Sequence, residues 1–353
     1  MTEALDFDDA QVLSEESPEL DEAWVRALAS EHWALQGELK PLSGERDRNY
    51  RLEAAASGAR FVLKVSHPAE TALVADFQTQ ALLRLARVDP GLPVQRIVPT
   101  RQGEPSLLRD PGDGLPRVVR LFSYLPGLPL PEAPRTPRQR ENLARMLARL
   151  DLALAGFDHP AGELPLPWDL QRAHSVRGLL VHIDDAGRRA LAQAALDRFE
   201  HAVLPRLRAL PAQPIHNDFN IHNVLVDPQQ PDRIAGILDF GDMVRAPAID
   251  DLAVAAAYQL GTGEDPLAEV LPFAAAYHAV RALQPSEIAL LFDLVVARLV
   301  MVVAISGWRA ARYPQNAAYL LRNNPQSWAR LEACARIGPE AGTDALRRAC
   351  GLP

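Results

Sequence analysis

Lysine is nearly missing from this chain. Of 37 basic residues only Lys40 and Lys64 are lysine; the rest are arginine. A lysine at a position where a neutral residue would serve therefore asks for a chemical reason. A basic excess is missing too. The net charge is −8 and the pI about 5.6, so there is no chain-wide footprint for nucleic acid or an anionic membrane surface. Cysteine is confined to Cys334 and Cys350, which excludes a disulfide framework and any cysteine-based zinc spacing. The start, "MTEALDFDDA", has no apolar signal core, and a cytoplasmic location is the expectation. No apolar run is long and unbroken: "ALLFDLVVARLVMVVAIS" is interrupted by Asp293 and Arg298 and reads as a buried helix rather than a membrane span. What remains is 48% hydrophobic and 23% charged over 353 residues, an ordinary globular composition long enough for two lobes.

The periodicities divide the chain. Residues 1–20 are acidic and aperiodic and read as a loose tail. Residues 21–121 carry a helical stretch at 21–33, two strand-like runs, "NYRLEAA" and "RFVLKV", around an "SG" turn, an amphipathic helix over 70–88, and short β-like pieces, "VQRIVPT", "EPSLLRD" and "RVVRLFSYL". The proline-rich "PGLPLPEAPRTP" (126–137) is a semi-rigid connector. Within 122–353 the pattern is mostly helical, broken by "NVLVD" and "RIAGILDF", two strands around the turn "PQQPD". The expected fold class is α+β: a small β-rich lobe with one helix, then a larger helical lobe with an embedded hairpin.

The densest chemistry is "PIHNDFNIHNVLVD" (214–227). His216, Asp218 and Asn223 spell H-x-D-x-x-x-x-N, and Asp239 follows sixteen residues later in "ILDFG". Phosphoryl transfer needs an aspartate to accept the proton of the attacking hydroxyl. It also needs an asparagine oxygen and a second aspartate to hold Mg²⁺ against nucleotide phosphates. A hairpin from Asn223 to Asp239 brings these groups together. A zinc site on His216 and His222 is the competing reading, but the i, i+6 spacing does not suit the common helical zinc motifs. Lys64, in "RFVLKVS", is a strand lysine able to reach nucleotide phosphates. Such a lysine needs an orienting acid from the following helix. That helix offers Glu70 at its start and then Asp76, and Asp76 is the choice. Ser43 and Gly44, in the loop before the lysine strand, can bring backbone N–H groups to phosphate, while Glu45, Arg46, Asp47 and Arg48 read equally as a solvated charge cluster.

Together these motifs resemble the aminoglycoside phosphotransferase family, the small-molecule branch of the protein-kinase-like fold, over roughly residues 21–340. "HNDFNIHN" and "ILDFG" carry the resemblance. Within the family, "PLSGERDRNYRL", "FVLKVS", "DFQTQALLRL" and "WDL" are most similar to hydroxylysine-kinase-type members. The resemblance implies a two-lobed kinase-like fold and an enzyme using ATP (or GTP) with Mg²⁺. It implies Asp218 as catalytic base, Asn223 and Asp239 as metal ligands, and Lys64 on the nucleotide phosphates. Phe122 and Tyr124, in "RLFSYLPG", would line the adenine pocket. Two departures from protein kinases matter. Asn217 stands where they carry arginine after the motif histidine. From "DFG" at 239–241 to "DDLA" at 250–253 there is no room for an activation segment and peptide platform. The acceptor is therefore expected to be a small molecule.

Candidate acceptor groups are Trp168 and Asp169 in "PLPWDLQRAH", an aromatic face with a carboxylate for an ammonium group, then Asp242 and Arg245 just after the metal motif, and Arg298 within its apolar helix. Helix packing for Trp168, a helix cap for Asp169, and an ion pair of Arg298 with Asp293 are the structural alternatives. Asp251 either braces the catalytic loop or caps a helix. The expectation is phosphorylation of a small, amine-bearing, hydroxylysine-like metabolite. An antibiotic, homoserine or choline/ethanolamine-type kinase is the alternative, and a nucleotide-binding pseudokinase is the alternative from another class.

Overall fold

The computed structural model describes residues 18–42, 44 and 46–352. The tail read over 1–20 lies outside the described residues up to position 17, and so does Ser43.

Helix α1 (Glu22–Trp33) starts at Asp21, whose carboxylate accepts the Ala23 N–H at 2.9 Å, satisfying one of the amides that a helix start leaves open. An antiparallel five-stranded sheet follows, in the order β1 (Gly37–Leu42), β2 (Arg48–Ala54), β3 (Arg60–Val65), β5 (Arg117–Ser123), β4 (Leu107–Arg109). Strand alternation decides its faces. Leu52, Leu63, Val65, Val119 and Leu121 pack with Val25, Leu28 and Trp33 of α1. The same alternation turns Lys64 to the opposite face, cross-strand from Asn49 on one side and Arg120 on the other.

Helix α2 (Ala72–Val88) is capped by Thr71. Its inward residues Phe77, Ala81, Leu82 and Leu85 join the core of the larger lobe, with Leu92, Val94 and Phe122. The lobes thus share one apolar seam. The expected strand at 94–100 forms only two isolated bridges, Val94 with Ile237 and Ile97 with Phe122; prolines at 93 and 99 remove the amides a regular ladder needs.

In the proline-rich connector a short β6 (Leu128–Pro129) pairs with β8. Then come α3 (Pro137–Leu154), a run of 3-10 turns at Leu170–His182 where an α-helix was expected, and α4 (Ala186–Arg198), which passes through a π-turn at Phe199–Val203 into α5 (Leu204–Leu207). The embedded strands are β7 (Ala212–Ile215), β8 (Val224–Val226), β9 (Ile234–Ile237) and β10 (Val244–Pro247). β8 and β9 form the hairpin read from the sequence, with Asn223 just before it and Asp239 two residues after it. β10 pairs with β7 and runs directly into α6 (Ala248–Ala257). Helices α7 (Val270–His278), α8 (Pro285–Arg312), α9 (Ala317–Leu320), α10 (Asn324–Ile337) and α11 (Pro339–Ala349) complete the lobe. α8 is long and apolar enough to cross a membrane by length and composition, yet 83% of that window is buried inside the fold, against the 3-10 run, α6, α10 and α11.

Candidate active site

The loop after β7 is pinned from several sides. His216 is fully buried. Its Nε2 lies 3.0 Å from the Leu238 carbonyl, and its Nδ1 accepts the Asp218 N–H at 3.3 Å. Both ring nitrogens therefore serve the backbone, the ring sits edge-on to Phe219 and Phe240, and a zinc ion would find no lone pair there. From α6, Asp251 accepts the His216 N–H and the Asn217 N–H, each at 2.9 Å. Asp251 lies inside the helix rather than at its cap, so it is the loop brace.

Asn217 and Asp239 both adopt left-handed backbone, with φ of 63° and 58°, a conformation that asparagine and aspartate tolerate better than most residues. The Asn217 amide donates to the Asp242 carbonyl at 3.0 Å. It ties the catalytic loop to the segment after the second motif, at the position where protein kinases carry arginine.

Asp218 is held at both oxygens. Oδ2 accepts Asn223 Nδ2 at 2.7 Å, and Oδ1 accepts Arg298 Nη2 at 3.3 Å. Burial pushes its carboxyl up to about 6, against the pull of Arg298. The Asn223 amide points its N–H groups at Asp218, which leaves Oδ1 for a cation. The Asp239 carboxylate is open to solvent apart from the Gly241 N–H at 3.1 Å. Asp242 has no hydrogen-bond or ion-pair partner for its side chain among the described residues; burial, then Asp218 and Asp239, push it up to about 7. The three carboxylates thus lie close enough for their charges to act on one another, and among the described residues one cation, Arg298, pairs directly with any of them.

Arg298 is the least predictable member. Asp293, the partner considered for it, is taken by Arg198 at 2.7 and 3.0 Å. Arg298 instead reaches Asp218, donates to the Trp168 carbonyl at 3.1 Å, and stacks on the Trp168 ring at 5.0 Å. With its side chain 3% exposed, it acts through Asp218 and is not open to an acceptor.

On the other side of the cleft, Lys64 Nζ pairs with Asp47 at 2.7 Å. Burial opposes the lysine's charge, but Asp47 and then Asp239 outweigh it and hold its pKa above the ordinary value. Burial likewise works against the Asp47 carboxylate, and Lys64 pulls it below its usual range. The expected orienting acid, Asp76, is corrected: it is half exposed, 3.2 Å from His159 and bonded to Gln80. Glu70 belongs to Arg120, a fully buried guanidinium that also bonds Ala75, Gln78 and Ser66. Strand parity carried the missed signal. In the β2–β3 register Asn49 lies opposite Lys64, so Asp47, two residues earlier, shares that face. Gly44 sits where an added Cβ would meet the Asn49 side chain at 2.7 Å and the Asp47 carbonyl at 2.9 Å, so a larger residue would force this turn, which leads into Asp47, to shift.

Other assignments move. Phe122 is 4% exposed and packs in the core, because β5 alternation turns it inward. Tyr124 stays at the interlobe edge under Arg60, 4.7 Å from its ring centre. Asp169 and Arg245 are not brought to the Asp218 cluster. They line a separate cavity of about 210 Å³ with Glu163, Gln171, Arg172 and Arg208, where Asp169 caps the 3-10 run by accepting the Gln171 N–H at 3.0 Å. Trp308 is core. Arg46 was read only within a charge cluster. It is a cation without a hydrogen-bond or ion-pair partner among the described residues, near enough to draw the Asp242 pKa down.

A lysine paired with Asp47 and a braced Asp/Asn/Asp constellation are the arrangement expected of a small-molecule phosphotransferase of kinase-like fold. The phosphotransferase enzyme family (APH) matches residues 38–287, and the chain belongs to that family. It is 28% identical to hydroxylysine kinase of Danio rerio, over 92% of this chain and 94% of that protein, and 25% identical to the Mus musculus protein, over 92% of each. Among solved structures, a microcompartment-associated aminopropanol kinase is similar at a TM-score of 0.69 and 21% identity, covering 92% of this chain and all of that one. An amicoumacin kinase solved with AMP-PNP and Ca²⁺ is similar at a TM-score of 0.64 and 15% identity, over 86% and 92% of the chains. The chain is a small-molecule kinase, with ATP as co-substrate.

Proposed function

We propose that this kinase phosphorylates a hydroxyl flanked by an ammonium group, as in 5-hydroxylysine. The carrying observation is the unpaired Asp242 carboxylate beside Asp218. In 5-hydroxylysine the terminal ammonium stands on the carbon next to the hydroxyl, so an acid beside the proton acceptor suits both groups at once. The names of the relatives agree in chemistry, since hydroxylysine and aminopropanol both join an amine to an alcohol. Arg46 offers a cation for a carboxylate on the acceptor. An antibiotic polycation would call for a wider acidic surface than one free aspartate.

Asp218 accepts the hydroxyl proton, and its raised pKa suits that task near neutral pH. Arg298 fixes its orientation and limits the rise. Lys64, oriented by Asp47, neutralises phosphate charge. Asn223 Oδ1 and Asp239 fit a Mg²⁺ ion: both are oxygen donors, and Mg²⁺ usually takes one or two protein ligands and completes its shell with phosphate and water. An ion held by Asn223 and Asp239 would supply positive charge against the nucleotide phosphates during transfer.

The test is an acceptor panel scored by phosphorus NMR and steady-state kinetics. 5-Hydroxylysine is expected to exceed kanamycin in kcat/KM. Arg46→Gln is expected to raise KM for 5-hydroxylysine while leaving ethanolamine, which lacks a carboxylate, unchanged. A kanamycin preference overturns the reading.

A further inference from the structure

Behind the catalytic loop lies a second layer of acid. Asp151, on α3, and Asp251, on α6, are both fully buried, and their carboxyl groups lie close enough for each to act on the other's charge. Two carboxylate anions cannot lie so close in a water-free interior. The roles divide by counting donors. Asp251 already accepts two backbone amides, one on each oxygen, the pattern of an ionised carboxylate. Asp151 Oδ2 accepts the Tyr277 hydroxyl at 2.5 Å. Its Oδ1 receives no donor, and it is the oxygen left to carry a proton. Among the described residues the other titratable or charged groups facing the pair are Asp250, fully buried next to Asp251 on α6, Arg281 just after α7, and His216 on the loop after β7. Arg281 is engaged by Glu287 at 2.8 Å, and the His216 ring is used by the backbone.

We propose that Asp151 is a neutral carboxylic acid whose Oδ1–H donates to Asp251, and that the chain Tyr277–Asp151–Asp251 fixes the orientation in which Asp251 grips the amides of His216 and Asn217. Asp151 is thus a positioning residue for Asp218, two layers removed from the reacting atoms. Burial, with the Asp251 charge beside it, holds the Asp151 carboxyl well above its ordinary range, in accord with that state.

Asparagine mimics a neutral acid at this position: its amide N–H can donate to Asp251 and its oxygen can accept from Tyr277. Asp151→Asn is therefore expected to keep kcat within about threefold of wild type. Asp151→Ala is expected to lower kcat roughly 10- to 100-fold with KM for ATP nearly unchanged, the scale of a misplaced catalytic group. Infrared spectroscopy at neutral pH supplies a readout free of kinetics. Asp242 and the buried Asp250 also hold protons at this pH, so the wild type should show protonated-carboxyl C=O absorption with an added Asp151 component, which the difference spectrum against Asp151→Asn should show lost. The kinetic arm rests on the assignment of Asp218, whereas the infrared arm does not. A band of equal strength in both proteins, or an asparagine variant that folds and is as slow as the alanine variant, overturns the proposal. If the alanine variant does not fold, the asparagine kinetics and the spectrum still decide.

Discussion

The two walls of the cleft handle charge in opposite ways. In the small lobe the buried cations are matched: Lys64 with Asp47 at 2.7 Å, Arg120 with Glu70 at 3.4 Å. In the large lobe Asp218, Asp239 and Asp242 crowd together, and among the described residues Arg298 is the one cation within salt-bridge distance of any of them. The first wall is finished without ligand. The second carries an excess of negative charge that the folded chain does not neutralise, and its raised acids record the cost. A wall of this second kind is built to receive cations, a metal with its nucleotide and an ammonium with its hydroxyl, and it gains most when both arrive.

The contrast can be broken most severely at its centre. Asp218→Asn removes the proton acceptor but keeps its shape and its contact with Arg298. Turnover should fall by roughly 10²–10⁴ with ATP affinity and melting temperature little changed, as measured by stopped assays and calorimetry. A variant with near wild-type kcat would remove Asp218 from this role. On the matched wall, Asp47→Asn leaves a buried lysine without its acid. It should cost roughly 10- to 100-fold in kcat/KM for ATP and about 1–3 kcal/mol of stability. Intact ATP kinetics would show that Asp47 does not orient Lys64.

On the unmatched wall the sign of the stability effect reverses. Asp242 has a folded pKa of about 7 against an ordinary 3.8. The folded state therefore holds the proton more tightly than the unfolded state, and stability is lost as pH rises through that window. In EDTA, Asp242→Asn should match wild type in melting temperature near pH 4, gain on it steadily up to pH 7, and stay ahead beyond. The same variant should raise KM for the amine acceptor roughly 10- to 100-fold, the size of a lost contact to a charged group. A pH-independent difference would mean that Asp242 does not titrate in this window. The smallest effect belongs to Asp169→Ala. Its carboxylate faces the other cavity, so acceptor KM should stay within about twofold of wild type; a large rise would move the acceptor site to that cavity.

How far the sequence reveals this arrangement depends on the kind of spacing involved. Asn223 and Asp239 could be paired from sequence because a hairpin links them, and strand geometry converts residue count into distance. Lys64 stood out because the chain spends almost no other lysine. The orienting acid does not, because it comes from the neighbouring strand rather than the following helix, and strand parity puts Asp47 on the lysine's face. Adjacency in sequence misled twice. Trp168 and Asp169 are consecutive, yet one meets Arg298 and the other turns inward to start a 3-10 run. Asp242 and Arg245 straddle the start of β10, and the strand carries Arg245 to the far cavity. The Arg298–Asp218 contact joins residues 80 positions apart, and nothing in local pattern encodes such a pairing.

Helix α8 has a consequence for how the chain is made. By length and composition it passes for a membrane span, and it leaves the ribosome before two of the surfaces that will bury it, α10 and α11. During that interval the insertion machinery meets a bare apolar segment. Two charges near its middle, Asp293 and Arg298, argue against transfer into lipid, at about 2.5–3.5 kcal/mol each at a bilayer centre. One later pairs with Arg198 and the other holds Asp218. The arginine that steadies the proton acceptor in the mature enzyme thus also helps keep the newborn helix out of the bilayer, and replacing both charges with leucine should expose that second duty as mistargeting.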